Sequence, residues 1–192
     1  MPFDHFNFIA PLYDRIFNYY PSPDLNRFLN LPTHGRLLDL GGGTGRVSQS
    51  LRGFASQALV VDFSRKMLKQ AATKSLLTVC ARGEQLPFQR STFSRVLMVD
   101  ALHHVQNQVD TINELCRVIE PGGRIVILEP DIQHFRVKLV ALFEKVMLMR
   151  SHFLSGAEIV DLFPSEGGKV EVHREGINIL MVYETVEYQS LV

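Results

Sequence analysis

The sequence predicts an α/β domain: a Rossmann-like, doubly wound sheet of seven strands, mostly parallel with an antiparallel last strand, and helices on both faces. Three observations carry this. From residue 36 onward short apolar strands alternate with helical patterns, which is how a sheet with helices on both faces is written. Arg124–Leu128 is a continuous β-branched run of the kind found in central parallel strands. Lys169–Arg174 and Ile177–Glu184, joined by Glu175-Gly176, read as a closing antiparallel pair.

Taken in order, Arg36–Leu40 is a short buried strand followed by a helix from Thr44 to Arg52. Ala58–Val61 is the second strand and ends in Asp62; a helix over Ser64–Ala72 follows. Leu76–Cys80 and Phe93–Val99 are the third and fourth strands. A helix over Asn107–Ile119 stops before Pro121-Gly122-Gly123, since proline and glycine terminate a helical pattern. Beyond the fifth strand, His134–Arg150 and Gly156–Phe163 read as helices. The chain is expected to form one domain over residues 1–192: an aromatic helical cap at 1–34, a ligand-binding core at 35–130, and a substrate-side insert with closing strands at 131–192. Phe3, Phe6, Phe8, Tyr13, Phe17, Tyr19 and Tyr20 crowd the first segment, either packed on the sheet or forming a lid with Tyr13-Asp14 near its edge.

Hydrophobic residues make up 46% of the 192 and charged ones 21%, the composition of an ordinary globular protein. Twenty basic and twenty acidic residues cancel, so the chain lacks the basic field that nucleic acid or an anionic membrane requires. Cys80 and Cys116 have no zinc-like spacing and read as reduced, buried thiols, so no metal is expected. Asp4 and His5 interrupt any signal-like apolar start, and Lys138, Glu144 and Lys145 break the longest apolar helix. A cytoplasmic protein without an integral membrane segment is the expectation.

The chemistry concentrates at strand ends, where open α/β sheets bind their ligands. Leu37–Gly45 is an apolar strand closing on Asp39 and then on glycines at 41, 42, 43 and 45. Glycines let backbone approach a ligand closely. A carboxylate at the mouth of such a turn disfavours phosphate, which helix N-termini attract, and suits a ligand carrying positive charge. Asp62 ends the second strand, placed to accept hydrogen bonds from the two hydroxyls of a ribose. Ala81-Arg82-Gly83-Glu84 follows the third strand, and Asp100 with Ala101, Leu102, His103 and His104 follows the fourth. A dinucleotide fingerprint places its third glycine three residues after the second; counted from Gly43, that position is Arg46.

The stretches 8–15, 37–46, 60–64, 86–88, 101–105 and 117–130 together resemble the class I S-adenosylmethionine-dependent methyltransferases, and among them the menaquinone and ubiquinone biosynthesis C-methyltransferases, also described as methyltransferase type 11. The resemblance implies that Asp39 and the loop Gly41, Gly42, Gly43 and Gly45 hold the methionine part of S-adenosyl-L-methionine, that Asp62 holds its ribose, and that Phe63 lies against its adenine. The family's usual Asp-Ala after the third strand is Arg82-Gly83 here. An arginine cannot accept the adenine amine's hydrogen bond, which leaves the Gly83 backbone and the Glu84 side chain as replacements. Asp100 and Ala101 would line the place of methyl transfer.

A sulfonium methyl is already electrophilic, so proximity and orientation supply most of the rate gain. A base is needed only where the acceptor must lose a proton; His104, Tyr13 and His152 are the candidates, with His103, Glu129 and Asp131 nearby. The plainer alternative for His103-His104 is a helix start tucked under the sheet edge. The insert 135–153 carries an apolar stripe which, with the N-terminal aromatics, suggests a small, apolar or ring-bearing acceptor. Two rival readings stand beside methyl transfer: a protein that binds the cofactor without turnover, and a nicotinamide-dependent oxidoreductase, against which the glycine spacing and Asp39 speak.

Overall fold

The computed structural model describes residues 24–146 and 151–187. A short helix, α1 (Leu25–Phe28), is capped by Asp24, whose carboxylate accepts the Arg27 amide hydrogen at 3.3 Å. Then follow β1 (Arg36–Leu40), α2 (Arg46–Ser50), β2 (Gln57–Asp62), α3 (Arg65–Thr73), β3 (Leu77–Cys80) and β4 (Phe93–Val99). A 3-10 turn (Leu102–His104) leads to α4 (Gln108–Val118), β5 (Ile119–Pro130), α5 (Phe135–Val146), α6 (Gly156–Asp161), β6 (Gly168–Glu175) and β7 (Asn178–Thr185).

The seven strands form one sheet in the order β3-β2-β1-β4-β5-β7-β6. Pairings from β3 to β5 are parallel, whereas β7 runs antiparallel to both β5 and β6. The fold is the expected one, including the single reversed strand. Neighbouring residues of the central strands point into different cores. Leu38, Val96, Met98, Ile125, Ile127 and Met181 pack under α4 through Ile112, Leu115 and Val118. Leu37, Leu97, Val126, Leu128, Leu180 and Val182 pack under Leu25, Phe28 and Leu29 of α1 and its C-terminus. Burial on both faces is why these strands are apolar without interruption.

Several boundaries differ from expectation, each for a local reason. The first core helix starts at Arg46 because its cap, Gly45, sits in the left-handed region at φ +72°, and it ends at Ser50, two residues before Arg52. The helix 108–118 runs directly into β5, so Pro121-Gly122-Gly123 is a turn inside the strand's range, with Gly122 at φ +69°. Thr185 holds that turn: its hydroxyl donates to the Glu120 carbonyl at 2.8 Å and accepts from the Gly123 amide at 2.9 Å. Of the long helix expected over 134–150, Phe135–Val146 is helical and 147–150 lie outside the described residues. Of the aromatic cap, 1–23 lie outside them as well, Tyr13 included. Cys80 is exposed rather than buried, because it closes the edge strand β3.

The strand order reverses between β1, which leads outward to β2 and β3, and β4. A crevice must open above the carboxyl ends of those two strands. Asp39, Asp62 and Asp100 all stand at or beside that rim.

Candidate active site

The loop after β1 is held down by β2: the amides of Gly41 and Gly42 both donate to the Val61 carbonyl, at 2.7 and 3.3 Å. Gly41 has φ +72°, and a Cβ there would fall 2.4 Å from that of Ala101, so the loop and the β4 turn touch only because the side chain is missing. At Gly43, with φ +55°, an added Cβ would meet nothing nearer than the Asp62 carboxylate at 3.9 Å. Asp62 then fixes the loop's far side, accepting the Gly43 amide hydrogen at 3.0 Å and the Ser64 amide hydrogen at 2.7 Å.

These groups wall a cavity of about 190 Å³. Gly41 and Gly43 line it from the loop after β1, Asp62 and Phe63 from the end of β2, Gly83 from the loop after β3, and Asp100, Ala101 and His104 from the turn after β4. Phe63 presents an exposed ring at the rim, with the Arg82 guanidinium 5.2 Å from its centroid. The cavity thus gathers Gly41, Gly43, Asp62, Phe63, Gly83, Asp100, Ala101 and His104 of the residues expected there.

Others lie elsewhere. Asp39 is 1% exposed and sits beneath the loop, not at its mouth. It accepts the Ser48 hydroxyl at 2.6 Å, and its carboxyl group fills the space a Cβ on Gly42 would need. Gly45 is equally structural, since a Cβ there would meet Leu76 Cδ1 at 2.2 Å. Glu84 does not reach the cavity: its Oε1 accepts the amides of Gln106 and Asn107 at 2.7 and 3.0 Å, tying the loop after β3 to the start of α4. His152 lines a neighbouring hollow with Arg82 and Glu84.

Residues 38–127 match the Methyltransferase domain family, and that span contains the loop, Asp62 and the β4 turn. A ubiquinone/menaquinone biosynthesis C-methyltransferase of Coxiella burnetii is 33% identical over 110 residues, 52% of this chain and 44% of that protein. An uncharacterized protein of Methanocaldococcus jannaschii is 31% identical over 139 residues, 70% of this chain and 65% of its own. Over that span the chain is similar to S-adenosylmethionine-dependent methyltransferases. Its match spans less than half the length of the quinone methyltransferase from Coxiella. The fold is shared with an S-adenosylmethionine-dependent methyltransferase of Thermotoga maritima (TM-score 0.75, 21% identity, covering 94% and 98% of the two chains). It is also shared with a chain from the complex of the Haloferax volcanii Trm112 methyltransferase activator with a methyltransferase (TM-score 0.80, 17% identity, covering 97% and 100%).

Beside this cavity the β4 turn is organised by one residue the sequence placed nearby without a role. Glu129 of β5, 3% exposed, accepts the amide hydrogens of Ala101 and Leu102 at 2.9 and 2.7 Å through Oε1 and meets His103 Nδ1 at 2.5 Å through Oε2. The His103 ring stacks on Phe153 at 4.3 Å and lies 3.9 Å from that of His104. His104 Nδ1 is 3.2 Å from the Ser151 hydroxyl. Burial, then the charge of His103, lowers the His104 pKa to about 3, so it stays neutral and is a weak proton acceptor at ordinary pH. His103 is thus buried in the turn and the half-buried His104 lines the cavity, and no cluster of metal-binding side chains occurs among the described residues. Asp100 has the left-handed backbone φ of +50°, open to the cavity. Its carboxylate is exposed, so solvent screens the rise to about 6 that desolvation, then the Glu129 charge, gives it against His103 and Arg46.

Proposed function

We propose that the chain transfers the methyl group of S-adenosyl-L-methionine to a small, apolar or ring-bearing acceptor. The observation that carries this is the convergence of the open Gly43 backbone, Asp62 and Phe63 on one cavity at the point where strand order reverses. The lining fits the cofactor. Asp62 presents a carboxylate to ribose hydroxyls, Phe63 offers a ring face to adenine, and Gly41 and Gly43 let the backbone approach the methionine part. Gly83 supports the adenine from below. Arg82, over Phe63, extends that stacked surface and replaces the absent adenine hydrogen bond with a cation–π platform. Asp39, Gly42 and Gly45 act through the loop's shape, and Glu84 through the loop it ties to α4.

The cofactor when bound supplies an electrophilic methyl group. The chain's part is to hold the acceptor in line with it and exclude water. Ala101 and His104 border that end; His104, being neutral, orients an acceptor by a hydrogen bond. Apolar character of the acceptor is supported by α5, where Phe135, Leu139 and Leu142 are exposed at spacings of four and three, one face of the helix. The similarity to the ubiquinone/menaquinone biosynthesis C-methyltransferase of Coxiella makes a quinol ring the first acceptor to test.

The test is transfer of labelled methyl from S-adenosylmethionine to a panel of quinols, phenols and amines. Transfer to a ring acceptor supports the reading. Tight cofactor binding with no transfer to any member favours the second reading, a protein that holds the cofactor without turnover. One observation favours that alternative: the one cavity-lining histidine is a poor base.

A further inference from the structure

The two edges of the sheet are unlike. β3, at one end, is four residues long, and so short an edge offers little backbone for another chain to pair with. β6, at the other end, is eight residues long, and its only strand partner among the described residues is β7. Its outer row of amides and carbonyls is a template for a further strand. Lys169, Glu171, Val172, Arg174 and Glu175 are exposed along it, so charge decides which strand fits. Side chains alternate across a sheet. Lys169, Glu171, His173 and Glu175 share the face of α1, where the His173 ring lies 5.0 Å from that of Phe28. Val170, Val172 and Arg174 share the opposite face, where Val172 Cγ1 stands 3.8 Å from the place of a Cβ on Gly156 of α6.

We propose that β6 is a dimerisation edge: two copies of the chain pair their β6 strands antiparallel, with the two-fold axis at Val172. In that register Lys169 faces Glu175 of the second copy, Glu171 faces its His173, Val170 faces its Arg174, and the two Val172 side chains meet on the axis. Every carboxylate then meets a cation or an imidazole. Moving the axis by one residue sets Glu171 against Glu171 or against Glu175, and like charges directly opposite are destabilising. The strand's own sequence thus selects one partner and one register. Lys169 already reaches Glu171 within its own strand at 2.9 Å, and the pairing extends that contact into a row shared by both chains. Two strands, β7 and β5, separate β6 from β4. Both cavities therefore stay open, on opposite rims of the joined sheet, whatever ligand they take.

Sedimentation velocity of the full chain over about 1–200 µM reads the association, a range suited to a single strand pair, which is small among stable interfaces. The mass should rise toward that of two chains. Lys169→Glu and Glu175→Lys, each alone, set like charges opposite one another twice per dimer and should weaken association by about tenfold. The variant carrying both substitutions restores opposite charges in the same register and should recover the wild-type constant to within about threefold. Recovery separates a register-specific contact from a loss of folding. A chain that stays monomeric throughout the range overturns the proposal. So does a dimer that the single reversals leave intact, or a double variant that associates no more strongly than the singles.

Discussion

Asp39 illustrates at residue scale how position and orientation differ. An acid two residues before a glycine turn is legible in the sequence, and its place at the end of β1 follows from the apolar run before it. Which way its side chain turns depends on Ser48, nine residues on, whose hydroxyl arrives only because α2 packs under the loop. That contact leaves no trace in local pattern, so the mouth of the turn was the natural reading. Burial raises the Asp39 pKa to about 6, the Ser48 hydrogen bond opposing it and the Asp62 charge adding to it. Because the folded value lies above the unfolded 3.8, the folded state binds the proton more tightly, and the charge is a cost that grows as pH rises from about 3.8 and is complete above about 6. Asp39→Asn should therefore stabilise the protein at pH 8 by up to about 3 kcal/mol and leave it unchanged below about pH 4. Urea titrations at the two pH values check this; destabilisation at pH 8 would mean the loop needs the charge itself. Asp62 faces the cavity and behaves differently: Asp62→Ala should weaken S-adenosylhomocysteine binding by about 1–3 kcal/mol in calorimetry, the cost of hydrogen bonds lost to a ligand hydroxyl pair. Unchanged affinity would remove Asp62 from the site.

At the scale of elements, the β4 turn is built by β5. Glu129 satisfies two amides left open by the 3-10 turn and pairs with His103, so one side chain fixes the path from Asp100 to His104. The sequence put Glu129 at a strand end near the crevice, which is right, but capping and catalysis look alike from there. Only the neighbouring strand's register, with Val99 opposite Leu128, turns the carboxylate back under the turn. Glu129→Ala should cost about 2–5 kcal/mol, since it strands two buried amides and a buried histidine, and should weaken cofactor binding through displacement of Ala101. Denaturation monitored by circular dichroism reads the first effect; a loss under 1 kcal/mol would show that water replaces the carboxylate. Element boundaries were least legible where two elements abut with no linker, as α4 and β5 do at Val118 and Ile119. There the Pro-Gly-Gly signal belongs to a turn held by Thr185, some sixty residues later.

For the whole molecule, the layered α/β architecture was legible because it follows from few rules. Parallel strands need crossovers, crossovers are right-handed, and apolar runs on both faces demand two helical layers. Function is less tightly bound to that architecture. The same fold, at TM-score 0.73 and 14% identity, occurs in a [4+2]-cyclase, so topology alone identifies a cavity at the switch point and not a reaction. The choice among ligands rests on the loop. Its glycines at 41 and 43 bring backbone close without the spacing that seats a pyrophosphate on a helix, and α2 is only a turn and a half long, starting at Arg46. A cavity so built should stabilise on binding S-adenosylhomocysteine and ignore NADH. With free ligand at about a hundred times its dissociation constant, linkage contributes about 2.7 kcal/mol, which for a chain of this length raises Tm by roughly 5–10 °C. NADH at the same concentration should leave Tm in place, because Asp62 and the glycine loop present no cradle for its second phosphate. A shift with NADH alone would return the oxidoreductase reading to first place, and a shift with both would mean that the cavity recognises adenosine without regard to what its ribose carries.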